Sequence, residues 1–185
     1  MTHSAHPLGP VEFALLGLLR LSPRHGYDLL NEFRPEADLG EALRIDLSNL
    51  YAALKRLERQ GLVASEVQLA GSRPPRNVYE LTDRGRDEFE RWLLEPVRHN
   101  REIRLDFILK LYFVPRIAPQ RLGELISRQF AAAYEQRDRL TSELKLHPTG
   151  SFGWVLRQMR LTAVQATVAW LEELQTTWPA VETTA

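Results

Sequence analysis

The chain has 185 residues, enough for one domain or two small ones, and its apolar fraction of 44% is normal for a globular protein. It contains no cysteine, which excludes disulfides, thiolate metal sites and a cysteine nucleophile and fits a reducing compartment. No apolar run approaches the roughly 20 residues needed to span a bilayer, and the N-terminus lacks a signal-peptide pattern. We therefore expect a cytoplasmic protein without a membrane partner.

The formal net charge is zero, so bulk charge does not favour binding to nucleic acid. Such binding would need a local cluster of cations, and residues 47–76 contain one. Its members are Lys55, Arg56, Arg59, Arg73 and Arg76, against the acids Glu58 and Glu66.

Two start signals predict the first two helices. Pro10 suits the first turn of a helix over residues 8–21, whose wide apolar face predicts a buried element. Ser22 followed by Pro23 is typical of a second helix start, and that helix is expected to run to about residue 33.

Two residues of this second segment carry further predictions. Gly26 inside a helix costs about 1 kcal/mol relative to Ala, so we expect another helix to approach closely there. His25 is a candidate phosphate contact, and the alternative is an ordinary surface histidine. Residues 35–45 are polar and irregular, with a short strand expected at 43–45.

Residues 47–60 form the helix that carries the main functional prediction. At 100° per residue its two faces differ in chemistry. The apolar face holds Leu47, Leu50, Leu54 and Leu57, with Tyr51 at its edge; the opposite face holds Ser48, Asn49, Ala52, Lys55, Arg56 and Arg59. Small and hydrogen-bonding groups followed by cations suit a helix that enters the major groove of DNA. The candidate DNA contacts of this helix are Ser48, Asn49, Tyr51, Ala52, Lys55 and Arg56. The alternative is a charged, solvated helix face.

A hairpin is predicted directly after this helix. Gly61 suits a left-handed residue that ends the helix, and residues 62–69 and 77–81 have strand composition. Between them, residues 70–76 read AGSRPPR, a turn that we call the wing. Arg73 and Arg76 place two cations on it, although an exposed loop of no special function has the same composition.

The predicted elements of the first half together favour DNA binding more strongly than any one of them does alone. Thr82 caps another predicted helix that ends near residue 94. Three helices followed by a hairpin form a winged helix-turn-helix arrangement, in which a cationic helix and a cationic turn act together on duplex DNA. We assign residues 1–94 to this DNA-binding domain.

Three motifs in this order and spacing resemble the PadR family of transcriptional regulators. They are HGY at residues 25–27, LYxALxRLExxGL at 50–62 and PPRxxYxLTxxG at 74–85. The resemblance implies a DNA-binding regulator, mostly a repressor, and in the larger subgroup a homodimer formed by a helical C-terminal region.

The second half is predicted to be helical. Residues 105–114 read as a buried helix, Pro119 begins a long helix, and Ser151 caps a last helix to about residue 177. We therefore assign residues 95–185 to an α-helical dimerisation and candidate effector domain, since two long helices bury little without a second copy. The fold class is mainly α with a small β-hairpin.

Dimerisation also suits the expected DNA site, because duplex operators present two half-sites about one turn apart. With four phosphate-binding cations per subunit (Lys55, Arg56, Arg73 and Arg76), the expected salt slope is about −7. Phe152, Trp154, Trp170 and Tyr134 are candidate contacts with a small aromatic effector or with the second subunit, and a packed core is the simpler interpretation of aromatic residues at this spacing.

Two other classes of function fit the sequence less well. The sequence lacks common enzyme motifs: it has no glycine-rich phosphate loop, no HExxH motif and no GxSxG motif. We therefore expect no catalytic residues, metal or cofactor. A winged-helix module that binds only proteins would lose the cations of its helix and turn, and both are cationic in this chain.

Overall fold

The computed structural model describes residues 8–68 and 76–178, with only the backbone described at Arg101. It divides into two compact units. The first takes the chain up to Leu93 together with Ile108–Ile117, and the second takes Leu94–Phe107 and the chain from Ala118. Ile108–Ile117 lies in the range that the sequence assigned to the second domain, but it packs with the first unit.

The first unit begins with three helices and a short strand. Helix α1 spans Pro10–Leu21, strand β1 Arg24–His25, helix α2 Gly26–Asn31 and helix α3 Asp38–Ala42. The prediction of α1 is confirmed. The strand predicted at 43–45 is wrong, because these residues pair with no strand in the described part of the chain and follow a short helix instead.

The predicted helix start at Ser22 is also wrong. Ser22 is extended and ends α1, and α2 begins only at Gly26. The residues between them form β1, in which Arg24 and His25 pair antiparallel with Tyr79 and Val78. The backbone groups that a helix would have used are therefore taken up by a strand that lies more than fifty residues later in the chain.

Helix α4 spans Leu47–Arg59 and leads into the predicted hairpin, β2 at Val63–Gln68 and β3 at Arg76–Leu81. The three-stranded antiparallel sheet has the order β1-β3-β2. Gly61 has a φ of +67°, which confirms its prediction as the left-handed residue after the helix. Thr82 caps α5, Asp83–Leu94, as predicted: its Oγ1 accepts a hydrogen bond from the backbone N–H of Gly85 at 3.0 Å.

An aromatic cluster forms the core of the first unit. Phe13 of α1 stacks on Trp92 of α5 with ring centroids 4.3 Å apart. Phe113 of α7, Ile108–Ile117, meets Phe89 edge to face at 5.6 Å. A Cβ at Gly17 would lie 2.5 Å from the Phe113 ring, so only glycine lets α1 and α7 approach this closely. This packing explains why α7 belongs to the first unit.

The second unit contains a short helix α6 at Asn100–Glu102, a π-helical turn at Ile103–Phe107, a 3₁₀ turn at Pro119–Arg121, α8 at Leu122–Leu144 and α9 at Phe152–Thr177. Helices α8 and α9 pack along each other. Buried Gln129 interrupts the apolar face of α8, and its side chain satisfies both backbone groups of Val97, at 2.7 Å and 2.9 Å. Ser151 caps α9 as predicted, accepting from the backbone N–H of Trp154 at 3.2 Å.

No helix in the described part of the chain is both long enough and apolar enough to cross a membrane.

Candidate nucleic-acid interface

The outward face of α4 is the centre of the site. Leu50, Ala53, Leu54 and Leu57 are buried beneath it, while Ser48, Asn49, Ala52, Lys55 and Arg59 are exposed. Leu47 is a correction to the predicted apolar face: it is 51% exposed, because it begins the helix at the edge of the core. The exposed surface is small and polar near the start of the helix and cationic towards its end.

The start of α4 is fixed by a cap that also orients Asn49. Asp46 accepts the backbone N–H of Asn49 and its side-chain amide, each at 2.8 Å and each on a different carboxylate oxygen. One amide hydrogen and the amide oxygen of Asn49 therefore remain for other partners. A donor and an acceptor on one amide are what an adenine edge requires in the major groove.

Arg56 differs from the other predicted cations of α4. Its guanidinium is ion-paired with Glu12 of α1, with Nε 2.9 Å from Oε1 and Nη2 donating to the same oxygen. Glu12 is only 7% exposed, so this cation compensates a buried carboxylate. The arrangement favours a structural role for Arg56 over a phosphate contact, and it holds α4 against α1.

The side chain of Tyr51 lies directly against the backbone of Gly26. A Cβ at Gly26 would lie 2.7 Å from the Tyr51 hydroxyl oxygen and 2.9 Å from its ring. The close approach expected at Gly26 is thus confirmed, and the approaching group is the phenol of α4. Tyr51 remains exposed, and its phenol lies against the backbone of α2 at Gly26.

A groove of about 490 Å³ lies between the start of α2, the side of α4 and the first residues of β3. Its walls are His25, Gly26, Tyr27, Tyr51, Arg76, Asn77 and Tyr79. His25 is half-buried, with Nδ1 3.3 Å from the backbone oxygen of Asn77. Burial raises the pKa of the Tyr79 phenol, although a hydrogen bond with Asn77 opposes this, so Tyr79 is a neutral wall near pH 7.

The wing is only partly described. Arg73 and most of residues 70–76 lie outside the described residues. Arg76 is exposed and is the first residue of β3 rather than part of the turn, paired in register with Gln68. It shares the groove with His25 and Tyr51, so three of the predicted DNA contacts come together there.

Sequence reasoning missed Tyr27, Arg34 and Asn77. Tyr27 is 56% exposed, and its hydroxyl oxygen accepts a hydrogen bond from Arg34 at 3.0 Å. The HGY motif contains Tyr27, but no local pattern separates it from a core aromatic residue. Only the pairing of β1 with β3 brings this tyrosine to the groove.

The four aromatic residues predicted as effector or dimer contacts have different surroundings within the second unit. Tyr134 donates to Glu172 at 3.1 Å and lies beneath the guanidinium of Arg137 at 4.0 Å. Trp170 meets Phe107 edge to face at 6.0 Å, and Trp154 is half-buried. Phe152 is 82% exposed at the start of α9.

The site has the chemistry of a binding surface. Within residues 8–68 and 76–178, no cluster of three or more histidine, aspartate or glutamate side chains could hold a metal ion. Cations, amides and phenols around an outward helix face provide hydrogen-bond donors for phosphates and base edges.

Part of the chain is similar to known transcriptional regulators. Residues 15–91 match the sequence model of the Transcriptional regulator PadR-like family. Negative transcriptional regulator PadR of Bacillus subtilis (strain 168) is 30% identical over 119 residues, which cover 64% of each protein. A probable transcriptional regulator of Mycobacterium tuberculosis is 30% identical over 76 residues, 41% of this chain and 39% of the relative. The chain thus spans under two thirds of the length of both relatives.

Solved structures of Bacillus subtilis PadR are also similar. Its complex with operator DNA has 27% identity and a TM-score of 0.46, covering 89% of this chain and 96% of that one. Its complex with p-coumaric acid has 25% identity and a TM-score of 0.43, with 90% and 96% coverage. The matched residues 15–91 contain α4, the groove and the described part of the hairpin, so the site lies in the part of this chain that is similar to the PadR-like family of transcriptional regulators.

Proposed function

We propose that this protein is a sequence-specific DNA-binding transcriptional regulator that acts as a homodimeric repressor on a pseudo-palindromic operator. The observation that carries the proposal is the outward face of α4, where Ser48, Asn49, Ala52 and Lys55 are exposed beside a groove lined by His25 and Arg76. In this proposal α4 enters the major groove, and the wing binds the flanking backbone.

The role of α4 defines two kinds of contact. Asn49, oriented by Asp46, is the candidate base reader, and its neighbours Ser48 and Ala52 are small enough to let the helix approach the base edges. Lys55, Arg73 and Arg76 are the candidate phosphate contacts. With Arg56 occupied by Glu12, three cations remain per subunit, and a dimer neutralises about six phosphates.

This count gives a direct test. The affinity of the full-length protein for duplex DNA is measured at several salt concentrations, and a slope of log K against log salt of about −5 is expected. The Lys55→Ala variant should flatten the slope by about 2 in a dimer. A protein that shows no affinity for duplex DNA at low salt would contradict the proposal.

A homodimer is supported by an uncovered apolar stripe on α9. Phe152, Val155 and Met159 are 82%, 51% and 61% exposed, and their spacing places them on one helix face. Apolar side chains in a continuous stripe are typical of a surface that a partner covers. A two-fold dimer would place its two α4 helices at the spacing of successive major grooves.

Sedimentation of a charged variant tests this stripe. Phe152→Glu should convert the dimer to a monomer at micromolar concentration, whereas Gln165→Glu, at an exposed polar position of α9, should leave the dimer intact. A wild-type chain that sediments as a stable monomer would contradict the dimer.

The proposed direction of regulation is repression, which is supported by the similarity to the PadR-like family and to the Negative transcriptional regulator PadR of Bacillus subtilis. Addition of the protein to a purified transcription system should lower output from a promoter that contains the operator. A rise in output would contradict repression. A regulatory role rather than an enzymatic one follows the description of the family.

Response to a small aromatic effector is supported by a relative and by two tryptophans. Bacillus subtilis PadR binds p-coumaric acid, and Trp154 and Trp170 of this chain are half-buried on α9. Titration with p-coumaric acid should change tryptophan fluorescence and release the operator. Unchanged fluorescence together with unchanged DNA binding would remove p-coumaric acid from the proposal.

A further inference from the structure

Tyr27 of α2 is an exposed phenol with an unusual environment. Its side chain is 56% exposed, although large aromatic residues are mostly buried, and it forms part of the groove wall. Its hydroxyl oxygen accepts a hydrogen bond from Nη2 of Arg34 at 3.0 Å. The same guanidinium lies 5.9 Å from the centroid of the ring.

This hydrogen bond leaves the phenol able to donate its own hydrogen to another partner. A guanidinium has only donors, so the hydroxyl of Tyr27 is the acceptor towards Arg34 and its own hydrogen is directed elsewhere. The donated bond also polarises the hydroxyl and makes it a stronger donor. Tyr27 is therefore suited to donate a hydrogen bond to an anion at the groove.

Arg34 adds charge at the same place. Several arginines of the first unit are compensated by carboxylates, among them Arg24 by Glu32 and Arg116 by Asp38. Among the residues that the structure describes, Arg34 has no carboxylate within ion-pair distance, and its side-chain partner is the phenol of Tyr27. The pair thus keeps a positive charge next to an outward donor.

The position of the pair relative to α4 suggests the ligand. Tyr27 shares the groove with Tyr51 of α4 and Arg76 of β3, the two elements that approach DNA in the proposed function. The backbone of a duplex that lies against α4 supplies phosphates on either side of the major groove. A phosphodiester is an anion with two outward oxygens, and it matches a neutral donor beside a cation.

We propose that Tyr27 and Arg34 form a binding site for one phosphate of the DNA backbone, with the Tyr27 hydroxyl donating to a phosphate oxygen and Arg34 supplying the charge. The proposal rests on the proposed function, because it requires the duplex to lie against α4. It adds a contact that positions α4 on the duplex but reads no base.

The test combines protein variants with single-site changes in the DNA. Tyr27→Phe should weaken binding about tenfold on every DNA sequence and leave the salt slope unchanged, since a phenol releases no counterion. Arg34 adds a fourth phosphate-binding cation per subunit, so the slope of the wild-type dimer becomes about −7 rather than about −5, and Arg34→Gln should return it to about −5. Tyr112→Phe is the matched control, because Tyr112 also lies beneath an arginine, Arg116 at 3.8 Å, and is not part of the groove wall.

The phosphate itself is located by scanning the duplex with neutral methylphosphonates, one symmetric pair of positions at a time, so that both half-sites carry the same change. The Tyr27→Phe penalty should disappear at one such pair and persist at the others. Unchanged affinity of Tyr27→Phe, with far-UV circular dichroism and Tm like the wild type, would overturn this inference. If the wild type itself binds no duplex, the proposed function fails; if only the Tyr27→Phe penalty is absent, the inference alone fails.

Discussion

Replacement of Arg56 separates a structural cation from a DNA-binding one. Arg56→Ala would leave the carboxylate of Glu12 without its partner, and Glu12 is only 7% exposed. A lost hydrogen bond to a charged group costs about 1.5–3 kcal/mol. The Arg56 side chain is 49% exposed, so water reaches one side of the pair and keeps the cost below that of a fully buried pair.

We expect Arg56→Ala to lower the free energy of unfolding by about 2 kcal/mol, measured by urea titration, and the Tm by about 6 °C. Glu12→Gln should partly rescue it, because a neutral amide does not require a cation. The double variant should therefore be more stable than Arg56→Ala alone, by about 1 kcal/mol.

The DNA-binding side of this prediction uses Lys55 as the control. Lys55 lies one residue earlier on α4, is exposed and has no carboxylate partner among the described residues. Lys55→Ala should flatten the salt slope without loss of stability, whereas Arg56→Ala should leave the slope as it is. Full stability together with a slope flattened to the same extent as in Lys55→Ala would refute the structural role of Arg56.

Three further variants test the remaining parts of the site. Asn49→Ala should relax the base preference in selection from random duplexes, and recovery of the wild-type motif would show that Asn49 reads no base. Gly26→Ala should lower stability by about 1–3 kcal/mol in thermal melts, because the new Cβ would lie 2.7 Å from the Tyr51 hydroxyl; an unchanged Tm would mean that Tyr51 moves away without cost. Arg76→Ala should weaken binding on all sequences and flatten the salt slope, and an unchanged slope would place Arg76 away from the backbone.

The fold of the first unit was predicted well where local signals are strong. Apolar spacing located α1, α4 and α5, and Gly61 and Thr82 marked the end of one helix and the start of another. These signals act within one or two turns of the chain, so the sequence displays them directly.

The errors arose where distant residues decide local structure. Ser22 and Pro23 resemble a helix start, but the strand that follows them pairs with β3. Residues 108–117 are apolar in either unit, and contacts with distant residues, among them Phe113 with Gly17 and with Phe89, place them in the first.

The candidate site was predicted in outline but not in detail. Helical periodicity alone groups Arg56 with the other cations of α4. It lies at the flank of the helix, where its ion pair with a carboxylate of another helix determines its role. Glu12 lies 44 residues earlier, and no local pattern links the two. The hydrogen bond between Arg34 and Tyr27 likewise depends on where the segment after α2 turns back.

Selection from random duplex DNA by the full-length protein tests the central claim most directly. We expect an enriched motif with two inverted half-sites whose centres lie about one helical turn apart, because two copies of α4 would each read one major groove. Recovery of no enriched motif, or of a single half-site without inverted symmetry, would contradict a dimeric, sequence-specific DNA-binding regulator.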